Sequence, residues 1–173
     1  MKPIAAGVLC AALACCAALG GEQTYTDKKN GFEISLLEGW FTLPSQQKTP
    51  SIYYAYRAQN TESTAYAIVT VDALKEGAGL RSFFENGSNK SKLSSYALLD
   101  IQKCTVGGAS ALKLEVTGAQ PSAAPLDSRG TIYYVVSGGR GYSIWFFARK
   151  SEFDNVAKDF DAIVKSFKLL KTE

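Results

Sequence analysis

The sequence predicts an α+β domain, a mainly antiparallel sheet packed between helices as an α/β/α sandwich. Three observations carry this. Turn signals recur at short intervals between segments rich in β-branched and aromatic residues. A single link carries a short helix, and the other strand links read as hairpins. The chain then ends in one long segment with a continuous apolar stripe at helical spacing. Of its 173 residues, 46% are hydrophobic and 20% charged, which suits one packed domain and argues against disorder.

The first segment reads as a targeting signal rather than part of the fold. Met1-Lys2-Pro3 supplies one positive charge, and residues 4–19 are apolar or small with no charge. That run is shorter than the roughly 20 residues a bilayer-crossing helix needs. Ala18-Leu19-Gly20 offers small residues where a signal peptidase reads. The expectation is a secretory signal over residues 1–20 and one domain over 21–173, its core at about 24–170. Three of the four cysteines, Cys10, Cys15 and Cys16, fall in the signal. Cys16 has Leu13 and Ala14 upstream but Cys15 directly before it; Cys15 has Ala12 where a lipobox wants Leu. Lipid attachment at Cys16 or Cys15 therefore stays open beside simple cleavage. Either route places the domain outside the cytoplasm, with membrane contact expected only through the anchor.

The remaining segments follow in order. Asn30-Gly31 is a two-residue hairpin signal, because both residues tolerate positive φ. It precedes an alternating strand with Phe32, Ile34 and Leu36 on one face, and Glu38-Gly39-Trp40 turns the chain after it. Residues 52–57 and 66–71 read as strands joined by a polar loop over 59–63. Leu80, Phe83 and Phe84 have helical spacing in a short segment that gives out near Asn86-Gly87. Residues 96–105 read as a strand, in which Cys104 acts as a small buried hydrophobe. After Gly107-Gly108, Leu112, Leu114 and Val116 point inward in strict alternation. Two more strands, 131–136 and 142–148, flank a hairpin loop over 137–141. Both faces of the second are apolar, so it belongs at the centre of the sheet. Ser151 can cap the terminal helix, whose stripe runs through Phe153, Val156, Phe160, Ile163, Val164 and Phe167.

Several chemistries are excluded by composition. With no histidine there is no Ser-His-Asp or Cys-His catalysis, no His-ligated zinc and no histidine switch. Losing Lys2 with the signal leaves 18 of the 19 basic residues against 16 acidic, a charge of +2, too weak for nucleic acid. No motif asks for a cofactor or a metal. The loop over 137–141 lacks the Gly-Lys-Ser/Thr of a P-loop and joins two strands, although Arg140 at its tip could hold an anion. Tyr53, Tyr54 and Tyr66 cluster on adjacent strands. They either bury under a helix or line an aromatic groove for a peptide, glycan or lipid headgroup.

Four runs in order carry a resemblance. They are Gly31-Phe32-Glu33-Ile34-Ser35-Leu36-Leu37-Glu38-Gly39-Trp40, then Val106-Gly107-Gly108 with Ala111-Leu112-Lys113-Leu114, then Gly139-Arg140-Gly141-Tyr142-Ser143-Ile144, and last Ile163-Val164-Lys165-Ser166-Phe167. The chain resembles the PsbP-like family over about residues 24–170. The resemblance implies a fold shared by a small Ran-binding nuclear-import factor and by many bacterial exported proteins and lipoproteins. The family often has Pro where Leu37 stands, and histidine-based metal sites of photosynthetic members have no counterpart here. The expected function is an exported, non-enzymatic binding or accessory protein of the cell envelope. A small-molecule or lipid carrier with an aromatic pocket between sheet and helix is the alternative, and a carboxylate-based hydrolase the second.

Overall fold

Hairpins build the sheet, as the turn signals require. The computed structural model describes residues 23–43, 52–59, 62–86, 89–90, 93–118 and 127–171, excepting the side chains of residues 43, 52–59 and 62–64. Strands β1 (Gln23–Asp27) and β2 (Phe32–Leu36) come first, followed by β3 (Trp40–Leu43), β4 (Ile52–Gln59) and β5 (Glu62–Ala73). Helix α1 (Leu80–Phe84) leads to β6 (Tyr96–Val106), β7 (Ala109–Gly118), β8 (Ser128–Ser137) and β9 (Arg140–Arg149). Helix α2 (Lys150–Ser166) and the two-residue β10 (Lys168–Leu169) close the chain. Seven strands form one sheet in the order β3-β4-β5-β9-β8-β7-β6, with every pair antiparallel. A second sheet runs β1-β2-β10.

Each face of the large sheet carries its own apolar layer. On one face, Ala67 and Val69 of β5, Val135 of β8 and Ile144 and Phe146 of β9 meet Phe153, Val156, Phe160 and Ile163 of α2. Phe32, Ile34 and Leu36 of β2 join that layer, so the small sheet and α2 cover it together. Every such buried side chain contributes about 1.5–3 kcal/mol. On the other face, Leu114, Val116, Ile132, Tyr134, Trp145 and Phe147 lie under Phe83 of α1. Strand β9 is sandwiched between β5 and β8 and buried on both faces, as its two-sided apolar pattern predicts.

Local details depart from the sequence reading where side chains decide the turn. The first hairpin does not close on Asn30-Gly31 alone. Asp27 pairs with Phe32, leaving a four-residue loop over 28–31. The Asp27 carboxylate accepts both the Asn30 N–H at 2.9 Å and the Asn30 side-chain amide at 2.7 Å, which widens the turn. Gly138-Gly139 does form a two-residue turn, with φ of +56° and +72° that fit type I′. Ser151 does not cap α2: the helix starts at Lys150, and its N-cap Arg149 makes no side-chain cap bond. The chain passes straight from β9 into the helix, so the strand sets the start. Strands β3 and β10 were not expected; both are short and form by pairing with β4 and β2.

Candidate functional site

Arg140 does not join the tyrosines singled out in the sequence. Tyr66 lies opposite Phe147, and Arg140 opposite Ala73, so they occupy opposite ends of the β5–β9 pair. Arg140 is used structurally: its Nη2 donates to the Lys29 carbonyl at 3.2 Å and ties the first hairpin loop to the β8–β9 turn. Tyr142 OH reinforces this by donating to the Asn30 carbonyl at 2.8 Å. Tyr53 and Tyr54 are placed only in backbone register, opposite Val69 and Ile68; their side chains lie outside the described part. Cys15 and Cys16 also lie outside the described residues.

Several carboxylates serve ion pairs. The register opposes Asp100 and Glu115 on β6 and β7. Glu115 is held by Arg129 at 3.2 Å and by Lys113 at 3.6 Å, and Asp100 accepts from the Gln102 amide at 2.6 Å. Arg129 also stacks on Phe153, 4.5 Å from the ring centroid. Among the described residues no three acidic, cysteine or histidine side chains gather as a metal site. Cys104 is half-buried rather than buried, and desolvation raises its thiol pKa, outweighing the opposite pull of Lys113.

The layer beneath α1 is aromatic and contains polar oxygens. Phe83 and Phe84 approach Tyr134 edge-on at 5.7 and 5.6 Å, and Tyr96 stacks on Phe147 at 5.3 Å. Gly141 admits the Phe83 ring: a Cβ there would lie 2.5 Å from it. In the same layer, Thr70 opposes Ser143, and Ser143 opposes Tyr134. The hydroxyls of all three, with Asp72 Oδ2, are buried with no hydrogen-bond partner among the described residues. Each such group costs about 1–3 kcal/mol. Burial, with a smaller contribution from Asp72, pushes the Tyr134 phenol well above its ordinary pKa of 10.0.

The most distinctive surface is the outer edge of β6. This strand pairs with β7 and ends the seven-stranded sheet. Its 11 residues make an edge about 35 Å long. Leu98 and Leu99 are each 54% exposed, and Ile101 is 44% exposed. They lie on the strand expected over residues 96–105. The strand is there, but its place at the sheet's end leaves them open. Leu99 sits where the register slips between Leu98 and Asp100, a bulge that adds one side chain to the edge. The opposite edge, β3, has only four residues. Natural sheets shorten or charge their edges to prevent unwanted pairing. Here the long edge presents leucine and isoleucine beside Asp100 and Lys103.

Known structures share this architecture. The solution structure of cyanobacterial PsbP (CyanoP) from Synechocystis sp. PCC 6803 superposes with a TM-score of 0.65 at 15% identity, over 89% of this chain and 95% of that one. The fold is PsbP-like. LpqN of Mycobacterium tuberculosis, described as involved in cell envelope biogenesis, matches the PsbP-like domain with a TM-score of 0.59 at 13% identity, over 87% of this chain and 91% of that one. The Saccharomyces cerevisiae Ran-binding protein Mog1p matches with a TM-score of 0.58 at 10% identity, over 89% and 98%. No protein-family model and no curated sequence matches the chain. At these identities the likeness establishes the fold, and the site has to be argued from this chain's own residues.

Proposed function

We propose that this PsbP-like protein is an exported accessory protein of the cell envelope that binds a protein partner along the outer edge of β6 and catalyses no reaction. The carrying observation is the run of exposed apolar side chains, Leu98, Leu99 and Ile101, on an 11-residue edge strand. The apolar, small-ended segment over residues 1–20 supports export, and the likeness to LpqN supports an envelope setting. Photo-crosslinking in cells tests the binding. A benzoylphenylalanine at Leu99 or Ile101 should give one discrete protein adduct of the same size. The same probe at Lys158, exposed on α2, should give none. Equal adducts from all three positions, or none from any, would contradict the reading. Export is tested by the N-terminal mass of the protein recovered from cells. It should begin at Gly21 or at a lipidated cysteine, and an intact Met1 would contradict export.

A second reading is a small polar ligand held beneath α1. The partnerless oxygens of Thr70, Asp72, Tyr134 and Ser143 favour it. The effect of Tyr134→Phe on the melting temperature separates the two. A ligand or structural water held by the hydroxyl makes the variant less stable, and a dry layer makes it more stable.

A further inference from the structure

The open edge of β6 supplies a charge pattern as well as apolar contacts. Resting on the docking reading above, we infer that β6 takes its partner by strand addition. The partner contributes an extended, antiparallel segment whose central residues read acid, any residue, apolar, base from N- to C-terminus.

The register assigns the faces. Leu98, Ile101 and Lys103 lie opposite Val116, Leu114 and Leu112, on the side of the sheet that carries α1. Asp100 and Gln102 lie opposite Glu115 and Lys113, on the side that carries α2. All five of these β6 side chains are exposed. A strand added to this edge continues the alternation, so each of its residues shares a face with the β6 residue it opposes. Its apolar residue meets Ile101 and its acid meets Lys103, two positions along on the same face. Its base meets Asp100 on the other face. That base would supply a cation to a carboxylate whose present donors, the Ile101 N–H at 2.8 Å and the Gln102 amide at 2.6 Å, are both neutral. The antiparallel direction follows the other pairs of the sheet. Main-chain bonds to the edge then supply affinity, and the alternate side chains supply selectivity.

A second copy of this chain does not meet the pattern. A two-fold axis normal to the sheet sets Asp100 against residues of its own face, such as Asp100, Gln102 or Cys104, and never against Lys103. The occupant is therefore a different polypeptide.

The test uses the full-length chain and a capped synthetic peptide of about ten residues with Glu-Thr-Val-Lys at its centre. Hydrogen exchange should slow in the β6 amides that point away from β7, with α1 and α2 unchanged. Lys103→Glu should weaken peptide binding about five- to tenfold, in the range of a reversed exposed ion pair. A peptide with its Glu replaced by Lys should recover that loss with the variant and not with the natural chain. Lys103 is exposed, so an unchanged melting temperature shows that the variant is folded. Binding without protection of β6, binding indifferent to Lys103→Glu, or no peptide binding overturns the inference. So does a concentration-dependent doubling of mass that Ile101→Lys abolishes, since it would assign the edge to a second copy. If crosslinks at Leu99 and Ile101 persist while the peptide does not bind, the docking reading stands and strand addition alone falls.

Discussion

Tyr134 is fully buried, yet its hydroxyl has no hydrogen-bond partner among the described residues. Tyr134→Phe should therefore raise stability by about 1 kcal/mol, seen as a higher melting temperature. Burial also raises the phenol pKa of Tyr96, Tyr133 and Tyr134 above the ordinary 10.0. The sign follows from linkage. The folded state keeps these protons longer than the unfolded chain, so their contribution is whole below about pH 10 and lost as pH rises above it. Denaturant titrations should give a flat contribution from these groups up to about pH 10 and falling stability beyond it. Tyr134→Phe should make that fall shallower, and an unchanged alkaline slope would contradict the buried phenol. At this scale the sequence was informative about packing. Trp40 was expected to anchor a turn in the core; it is buried and donates its indole N–H to Asp159 at 3.0 Å. The use of Arg140 to tie two turns together was not legible, because its carbonyl partner on Lys29 lies 111 residues away.

At the scale of elements, α2 docks as its stripe requires. Phe160 is 3% exposed and contacts Phe146, with ring centroids 5.0 Å apart. Phe160→Asp puts an unpaired charge in that layer and should abolish the cooperative thermal transition. A retained native melting temperature would show that the helix does not need the sheet. Gly141→Ala forces the Phe83 ring from its place and should cost about 1–3 kcal/mol, measurable by denaturant titration. Long periodic elements were legible because their pattern is local: α2 and the central parts of the strands from β5 to β9 fall where alternation and helical spacing put them, although β4 and β5 run into the segment read as a loop over 59–63. Strands β3 and β10 were not, since four and two residues carry no usable period and gain their form from a partner strand. The start of α2 falls two residues earlier than the sequence suggests, because Ser151 looks like a cap while β9 hands its backbone directly to the helix.

At the scale of the molecule, strand order decides what is available for binding. The antiparallel sandwich could be read from hairpins and one crossover. The sheet order could not, because adjacency across a crossover is a tertiary property. Residues 96–105 could be read as a strand, and only the strand order puts residues 98–101 on the outer edge of the sheet. The tyrosines lie on the paired strands β4 and β5, while Arg140 sits at the far end of the β5–β9 pair, where it ties two turns together. The edge account predicts that Leu99→Lys combined with Ile101→Lys leaves stability within about 0.5 kcal/mol, since both side chains already face water. The same pair should abolish partner docking. The most direct test is photo-crosslinking in cells from Leu99 and from Ile101, with Lys158 on α2 as the control. The account predicts one adduct of common size from the two β6 positions and none from Lys158. Adducts of equal yield from all three, or none from β6, would contradict it.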